Sequence, residues 1–562
     1  MSKRRFPKIQ DNVFLKDLIC PQLAPSVKLI KDEMITLNRI LNISRRSGSI
    51  ICVVAASVIL VGGLLRPLSS DNWVYQTLGW DLYAYGRVPC AGNWSHNVPG
   101  AAYLHALSIA LLGPSDLAFR VFDLIIEIAI ALLLYKLLVR WFKPPFALLS
   151  AIIYPLLYVS LGSSVAGQPD AFAVFFLLLG IEFFFGAMEK IPSYKVNVLV
   201  LGAGFFTAAC SVFRPTYGLF PLVIAISYIL LNRPVDRLLW WYVVGCFSAF
   251  VALVLPFLLI PNGVASFYHA VILFNLDIYS GYAAPISVLF DALQPPGHLI
   301  ALYVIAGIVA AGISLRSGKR NYVVNHIPKF VMLLYLSLVL SSIASLLVMR
   351  KFFPSHFLPF LALLSPVIAH GLLAPMLLRW KWIAVPVTIC SVLYLTYRLY
   401  PRHLWGLYRT ASASSMPVLQ YAYNIVDTDP LTGPYAENIA AAYLKRVDTN
   451  RARVEVLAVS RPYLRVKAGL ESATRFICLE PLLPRDNTFT SFQKKWREEY
   501  VDSLREVRPK FVVFADNLLR IWSSKGPFAL AGEIPGLSKF LEQNYQLDTV
   551  IRGFTFYRLN EK

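Results

Sequence analysis

Long runs of apolar side chains, broken at near-regular intervals by charges, Pro and Gly, leave this chain few folds to choose from. A bilayer core is crossed by about 20 apolar residues of helix, and inside it every backbone polar group has to be satisfied within the helix itself. Runs of that order stand at about 50–68, 117–139, 145–164, 170–188, 196–213, 217–232, 239–260, 298–315, 330–349, 356–374 and 382–399. They predict a mostly α-helical, polytopic membrane protein with about 11 transmembrane helices. Composition agrees: 57% of the 562 residues are hydrophobic and 15% charged, where a soluble domain carries about 25% charge.

The formal charge of +21 would point to nucleic acid in a soluble chain. In a membrane protein, basic residues instead gather in cytoplasmic loops and fix orientation. With the N-terminus inside, the inner loops carry Lys136/Arg140/Lys143, Glu189/Lys190/Lys195, Arg233/Arg237, Arg316/Lys319/Arg320/Lys329 and Arg379/Lys381, so almost every one is basic. A nucleic-acid partner is therefore not expected. The first 50 residues hold ten Lys/Arg and four Asp/Glu, too long a basic region for a signal peptide. This reading gives a cytoplasmic basic tail at 1–49, a membrane domain at 50–402 and an extracytoplasmic loop at 69–116. Residues 403–562, where hydropathy falls, are read as an extracytoplasmic soluble α/β domain.

In that last region RVEVLAVS (453–460), KFVVFAD (510–516) and TVIRGFTFYRL (549–559) read as strands, and 488–507 and 537–545 as helices. No nucleotide-binding or triad-like motif accompanies them, so an accessory role is expected. The seven cysteines show no metal-type spacing, and neither a metal nor a cofactor is expected.

The outer loops collect nearly all the unusual polar residues. The first, DNWVYQTLGWDLYAYGRVPCAGNWSHNVPG (71–100), is acidic and aromatic; an apolar stretch, Tyr103 to Leu112, follows and reads as a helix lying in the interface, with the preceding Trp and Tyr residues at headgroup depth. Gln168 and Asp170, Arg214, the segment 267–282 and RKFFPSH (350–356) fall on the same side. Carboxylates suit general-base work on a hydroxyl, and cations suit a phosphate leaving group. Transfer of a sugar from a lipid phosphate fits such a set, and so does other lipid chemistry.

Residue order adds to this. Asp71, Tyr75, Gly86, Pro89, Pro99-Gly100, Gly113 and Arg120 stand in an order that resembles the first extracytoplasmic loop of the GT-C-fold glycosyltransferases, in the bacterial branch near the protein mannosyltransferases and lipid A aminoarabinose transferases. GQPDAF (167–172) and KFFPSHFLPFLALLSP (351–366) resemble two later segments of the same proteins. The resemblance implies an inverting transfer from a polyprenyl-phosphate sugar to an extracytoplasmic glycan, lipid or protein, in the plasma membrane. It makes Asp71 the base or acceptor-orienting carboxylate and Asp170 a second catalytic acid. Arg214, Lys351 and His356 would contact the donor phosphate, with Tyr75 and His96 also at the substrate. Two departures stand out: Asn72 replaces the acid that follows the first Asp, and His96-Asn97-Val98-Pro99 replaces the Lys that precedes Pro-Pro in the aminoarabinose branch.

Other polar residues have simpler readings. Asp81 reads as a solvated loop acid or a partner facing a helix, and Asp123 and Glu127 as structural groups pairing with Arg120 or a neighbouring helix. A lipid-linked-glycan transporter or flippase, and a non-catalytic assembly protein, are the competing functions. The first of these calls for internal repeats and matched interrupted spans, which the sequence does not show.

Overall fold

In the computed structural model of the chain, the described residues are 44–65, 68–162, 165–189, 193–232, 237–291, 300–309, 327–377, 386, 434–447, 453–458, 463–483, 488–515 and 527–560. Among the described residues six helices are long and apolar enough to cross a membrane: Arg45–Leu64, Pro169–Met188, Lys195–Val212, Arg237–Leu258, Lys329–Met349 and Pro354–Leu373. The shorter apolar helices Pro144–Ser160, Pro215–Leu230 and Ile300–Val309 fall on three further predicted runs. The helix Asp116–Leu138 falls on another and spans 23 residues, but it carries Asp116, Arg120, Asp123, Glu127 and Lys136. The last predicted run, 382–399, lies outside the described residues.

Close backbone contact joins these helices. A Cβ at Gly204 would sit 2.0 Å from the Tyr242 carbonyl oxygen, and one at Gly245 2.1 Å from that of Leu201. Gly371 and Gly307 do the same between Ile300–Val309 and the late helix Leu358–Leu377. Lipid offers helices no hydrophobic drive to associate, so small residues that let backbones approach supply dispersion contact instead.

The predicted first loop is itself helical. Helix α1, Ser70–Tyr85, opens with Asp71 in its first turn, where a carboxylate meets the positive end of the helix dipole, and Gly86 at φ 67° ends it. Helix α2, Gly100–Leu112, is the predicted apolar helix and packs against α1. The aromatics do not simply sit at headgroup depth: Trp73, Tyr75 and Trp94 are buried in protein, while Tyr83 and Tyr85 are exposed.

The C-terminal region forms a four-stranded sheet ordered β1-β2-β4-β3, built from β1 Val454–Leu457, β2 Phe511–Ala515, β3 Tyr545–Ile551 and β4 Phe554–Leu559. Strands β1 and β2 are parallel, and the other pairings are antiparallel. The segment read as one strand, TVIRGFTFYRL, is a hairpin, because Arg552 and Gly553 both take positive φ (42° and 80°), the geometry of a tight two-residue turn. Helices Ser491–Val507 and Leu537–Asn544 match the predicted helices, the first entered through a Thr490/Gln493 capping box.

The sheet domain sits on α1. Arg465 donates from both Nη atoms to the two Asp81 carboxylate oxygens, at 2.6 and 2.5 Å, and Asn93 Nδ2 donates to the same carboxylate at 2.6 Å. Both charged side chains are essentially sealed from solvent, at 1% and 0%. Asp81 is thus the helix-facing partner rather than the solvated acid. Trp94 N–H donates to the Arg475 carbonyl oxygen at 2.7 Å, and the Trp94 ring meets Phe274 and Trp496 edge-on. Breaking a buried ion pair on one side leaves an uncompensated charge, at about 3–5 kcal/mol. Asp81→Ala should therefore lower thermal stability steeply in detergent. Asp81→Ala with Arg465→Met should recover much of the loss, as read by melting temperature.

A candidate active site at one end of the helices

Asp71 is solvent-accessible although it stands in the first turn of a packed helix. Protein nevertheless surrounds it: burial raises its carboxyl above the ordinary value of 3.8, against the lowering effects of Arg214 and a hydrogen bond with Gln168. Access combined with desolvation describes a carboxylate at the floor of a recess, the setting in which a general base holds a proton within reach of its working pH.

Asp170 begins the helix Pro169–Met188 and is fully buried. Arg214 grips it bidentately, Nε to Oδ1 at 2.6 Å and Nη2 to Oδ2 at 3.0 Å, and the Tyr217 hydroxyl adds a third bond at 2.5 Å. The carboxylate is consumed by these donors. Its effect is to fix the guanidinium within electrostatic range of Asp71, with Arg214 side-chain exposure at 19%.

The segment before the late span carries the next cation. Arg350 and Phe352 both take left-handed backbone, at φ 47° and 50°. For a bulky residue such as Phe352 that conformation is strained, and its burial at 2% exposure holds it there. Between them Lys351 reaches back to the Tyr279 carbonyl oxygen at 2.7 Å, its ammonium 3.9 Å from the Tyr279 ring centroid. His356, five residues on, is buried and electrostatically coupled to Arg214, Asp170 and Lys351. Among the described residues neither of its ring nitrogens has a hydrogen-bond partner. A buried imidazole without a hydrogen-bond partner, within electrostatic range of two cations, calls for an explanation that a ligand could supply.

Tyr75 lies one turn along α1 from Asp71, within electrostatic range of Asp71, Arg214 and Asp170, and burial pushes its phenol up. His96 is also at this site. Burial, with Arg214 and Lys351 nearby, lowers it to about 3, so it stands as a neutral imidazole. Its Nδ1 is 3.3 Å from Oε1 of Glu480, a residue of the sheet domain, and its ring is 4.8 Å from that of Tyr279. All seven residues singled out from sequence gather at one end of the helices. Tyr217, Tyr279 and Glu480 were not anticipated. Tyr279 lay in the segment 267–282 that the topology placed on this side; Glu480, in LEPLLP, carried no sequence signal.

A buried polar network underlies the recess. Asn72 Nδ2 and Arg120 Nη1 both donate to the Ala166 carbonyl oxygen, at 2.6 and 3.1 Å. The Tyr158 hydroxyl contacts both Asp123 oxygens at 2.9 Å and accepts from Gly167 N–H at 2.9 Å. Asp123 and Arg120 thus act structurally, holding the 165–168 turn that delivers Gln168 and Asp170. Asn72 acquires a physical reason: a donor is required where an acid would set carboxylate against carbonyl. Among the described residues no cluster of three or more His, Cys, Asp or Glu has metal-binding geometry.

The membrane helices, the helical first loop and the appended sheet domain together define the GT-C fold. The crystal structure of ArnT from Cupriavidus metallidurans bound to undecaprenyl phosphate superposes with a TM-score of 0.54 at 12% identity, over 90% of this chain and 97% of that one. The apo state of ArnT from the same organism gives 0.53 and 13%, over 92% and 98%. The family profile described as dolichyl-phosphate-mannose-protein mannosyltransferase matches residues 95–260. No curated protein sequence matches the chain.

Asn72→Asp tests the network. An unsatisfied buried acceptor costs about 1–3 kcal/mol, and the displaced turn carries the site with it. The variant should melt earlier than the wild type in detergent, while Asn72→Ser retains more of the stability.

Proposed function

We propose that the protein is a membrane glycosyltransferase that moves a sugar from a polyprenyl-phosphate donor to an acceptor hydroxyl at the extracytoplasmic face. The observation that carries this reading is an accessible carboxylate, Asp71, set beside a guanidinium that Asp170 and Tyr217 hold in place. The ArnT structure with bound undecaprenyl phosphate, sharing the fold, supports a polyprenyl-phosphate donor. Recruitment from lipid suits a site at the helix ends, and the N-terminal tail lies in the cytoplasm on this reading.

Asp71 accepts the acceptor hydroxyl's proton as the oxygen attacks the anomeric carbon. The bond from that carbon to the phosphate oxygen breaks, and its electron pair leaves with the phosphate. Lys351 and Arg214 stabilise the growing negative charge, which suits their fixed positions. Attack opposite the leaving group inverts the anomeric centre. Asp170 and Tyr217 act as positioning residues for Arg214; on this reading His356, within electrostatic range of Arg214 and Lys351, contacts the phosphate, and Tyr75 takes part on the side of Asp71. The acceptor is a glycan, a lipid or a protein.

The test uses proteoliposomes with a radiolabelled undecaprenyl-phosphate sugar and membranes of the producing cells as the acceptor source. Transfer of label should depend on Asp71, with Asp71→Asn lowering the rate by about 10²–10⁴, the usual range for a general base. Burial raises the Asp71 carboxyl, so activity should appear as pH rises through a value above 3.8. Label that changes leaflet without changing its covalent state would instead establish a flippase. Full transfer by Asp71→Asn would remove the assigned role.

A further inference from the structure

The sheet domain reaches the recess through one side chain. Glu480 stands in a short 3-10 turn, Glu480–Leu482, and is nearly buried, its side chain 10% exposed. Its Oε1 lies 3.3 Å from His96 Nδ1, without the alignment of a hydrogen bond, so that oxygen keeps hydrogen-bonding capacity to spare. Asp71 and Tyr279 are both within electrostatic range of it.

Four side chains stand in sequence across the site. Lys351 packs on one ring, Tyr279; that ring neighbours His96; and His96 meets Glu480. A phosphate held at the Lys351 end places anything bonded to it over Tyr279 and toward the other pair. We propose that His96 and Glu480 form a sugar-hydroxyl-binding pair, through which the C-terminal domain takes part in substrate recognition. This rests on the glycosyltransferase reading above and extends it to the soluble domain.

The chemistry of the pair suits hydroxyl groups. Burial and the nearby Asp71 push Glu480 up to about 8, while His96 is lowered to about 3, so at pH 7 both are uncharged. A neutral carboxyl and a neutral imidazole each offer a donor and an acceptor, which matches a hydroxyl's own dual capacity. A second full carboxylate charge here would oppose both Asp71 and the donor phosphate. Among the described residues, the other titratable groups near Glu480 are His96, Tyr279 and Cys478. The docking of the domain by Asp81 and Arg465 fixes the pair's position over the recess. The sugar is the donor's or the acceptor's, with the same hydrogen-bonding chemistry.

The experiment compares wild type, Glu480→Ala, Glu480→Gln and His96→Ala in the full-length protein. Three readouts are taken at pH 7: the Kd for undecaprenyl phosphate, the Kd for undecaprenyl phosphate carrying a hexose or pentose, and the transfer rate to membrane acceptors. Thermal melting accompanies each to establish folding. Glu480→Ala and His96→Ala should leave the Kd for undecaprenyl phosphate within about twofold, since neither holds the phosphate. A donor-sugar site raises the Kd of the sugar-bearing lipid about tenfold, or 1.4 kcal/mol. An acceptor-sugar site leaves both Kd values alone and lowers transfer about tenfold. Glu480→Gln, which keeps a neutral donor and acceptor, should stay within about threefold of wild type. Equal weakening of undecaprenyl phosphate itself, or no change in any readout, overturns the proposal. Failure of the wild type to bind any polyprenyl phosphate, or to transfer sugar, overturns the functional reading beneath it.

Discussion

A bidentate pair between Asp81 and Arg465, almost sealed from water, holds the two halves of this molecule in register. Removing two charges from water is costly, and such a pair persists only where its geometry is good and the remaining lone pairs are satisfied. Asn93 supplies that third contact. Asp81 sits on the same helix as Asp71, so the interaction that seats the sheet domain also orients the proposed base. The domain thereby reaches the proposed site, and Glu480, 3.3 Å from His96, is its nearest approach to that histidine among the described contacts.

A second constraint comes from the membrane. Charges are costly in hydrocarbon and gather where helices end or where partners bury with them. Both solutions occur here. Arg120, Asp123 and Tyr158 are buried together and hold the 165–168 turn, while Asp71, Arg214 and Lys351 stand at helix ends. The distinction is one of saturation. Asp170 has its acceptor oxygens filled by Arg214 and Tyr217, whereas Asp71 retains access.

Much of this was legible in the chain. Ten of the predicted runs have helices because hydrocarbon length and hydropathy dictate them independently of tertiary detail. The one-sided clustering of Asp71, Asp170, Arg214, Lys351 and His356 followed from counting spans. Contacts across hundreds of residues left no local trace. Asp81 resembles any loop acid until Arg465 is placed on it, and Glu480 sits among Leu and Pro with no periodic or motif signal. Asn72 read as a lost acid, and only the Ala166 carbonyl shows why an amide stands there. The hairpin at 552–553 was missed because Arg-Gly is a weaker turn signal than Asn-Gly or Asp-Gly.

The central claim is that these helix ends form one phosphate-recognising recess around Asp71. A structure of the protein with undecaprenyl phosphate tests it most directly. The account predicts the phosphate oxygens within hydrogen-bonding distance of Lys351 and Arg214, with the lipid chain running down between the helices and Asp71 open beside the phosphate. A phosphate bound elsewhere, or in contact with neither cation, would contradict it.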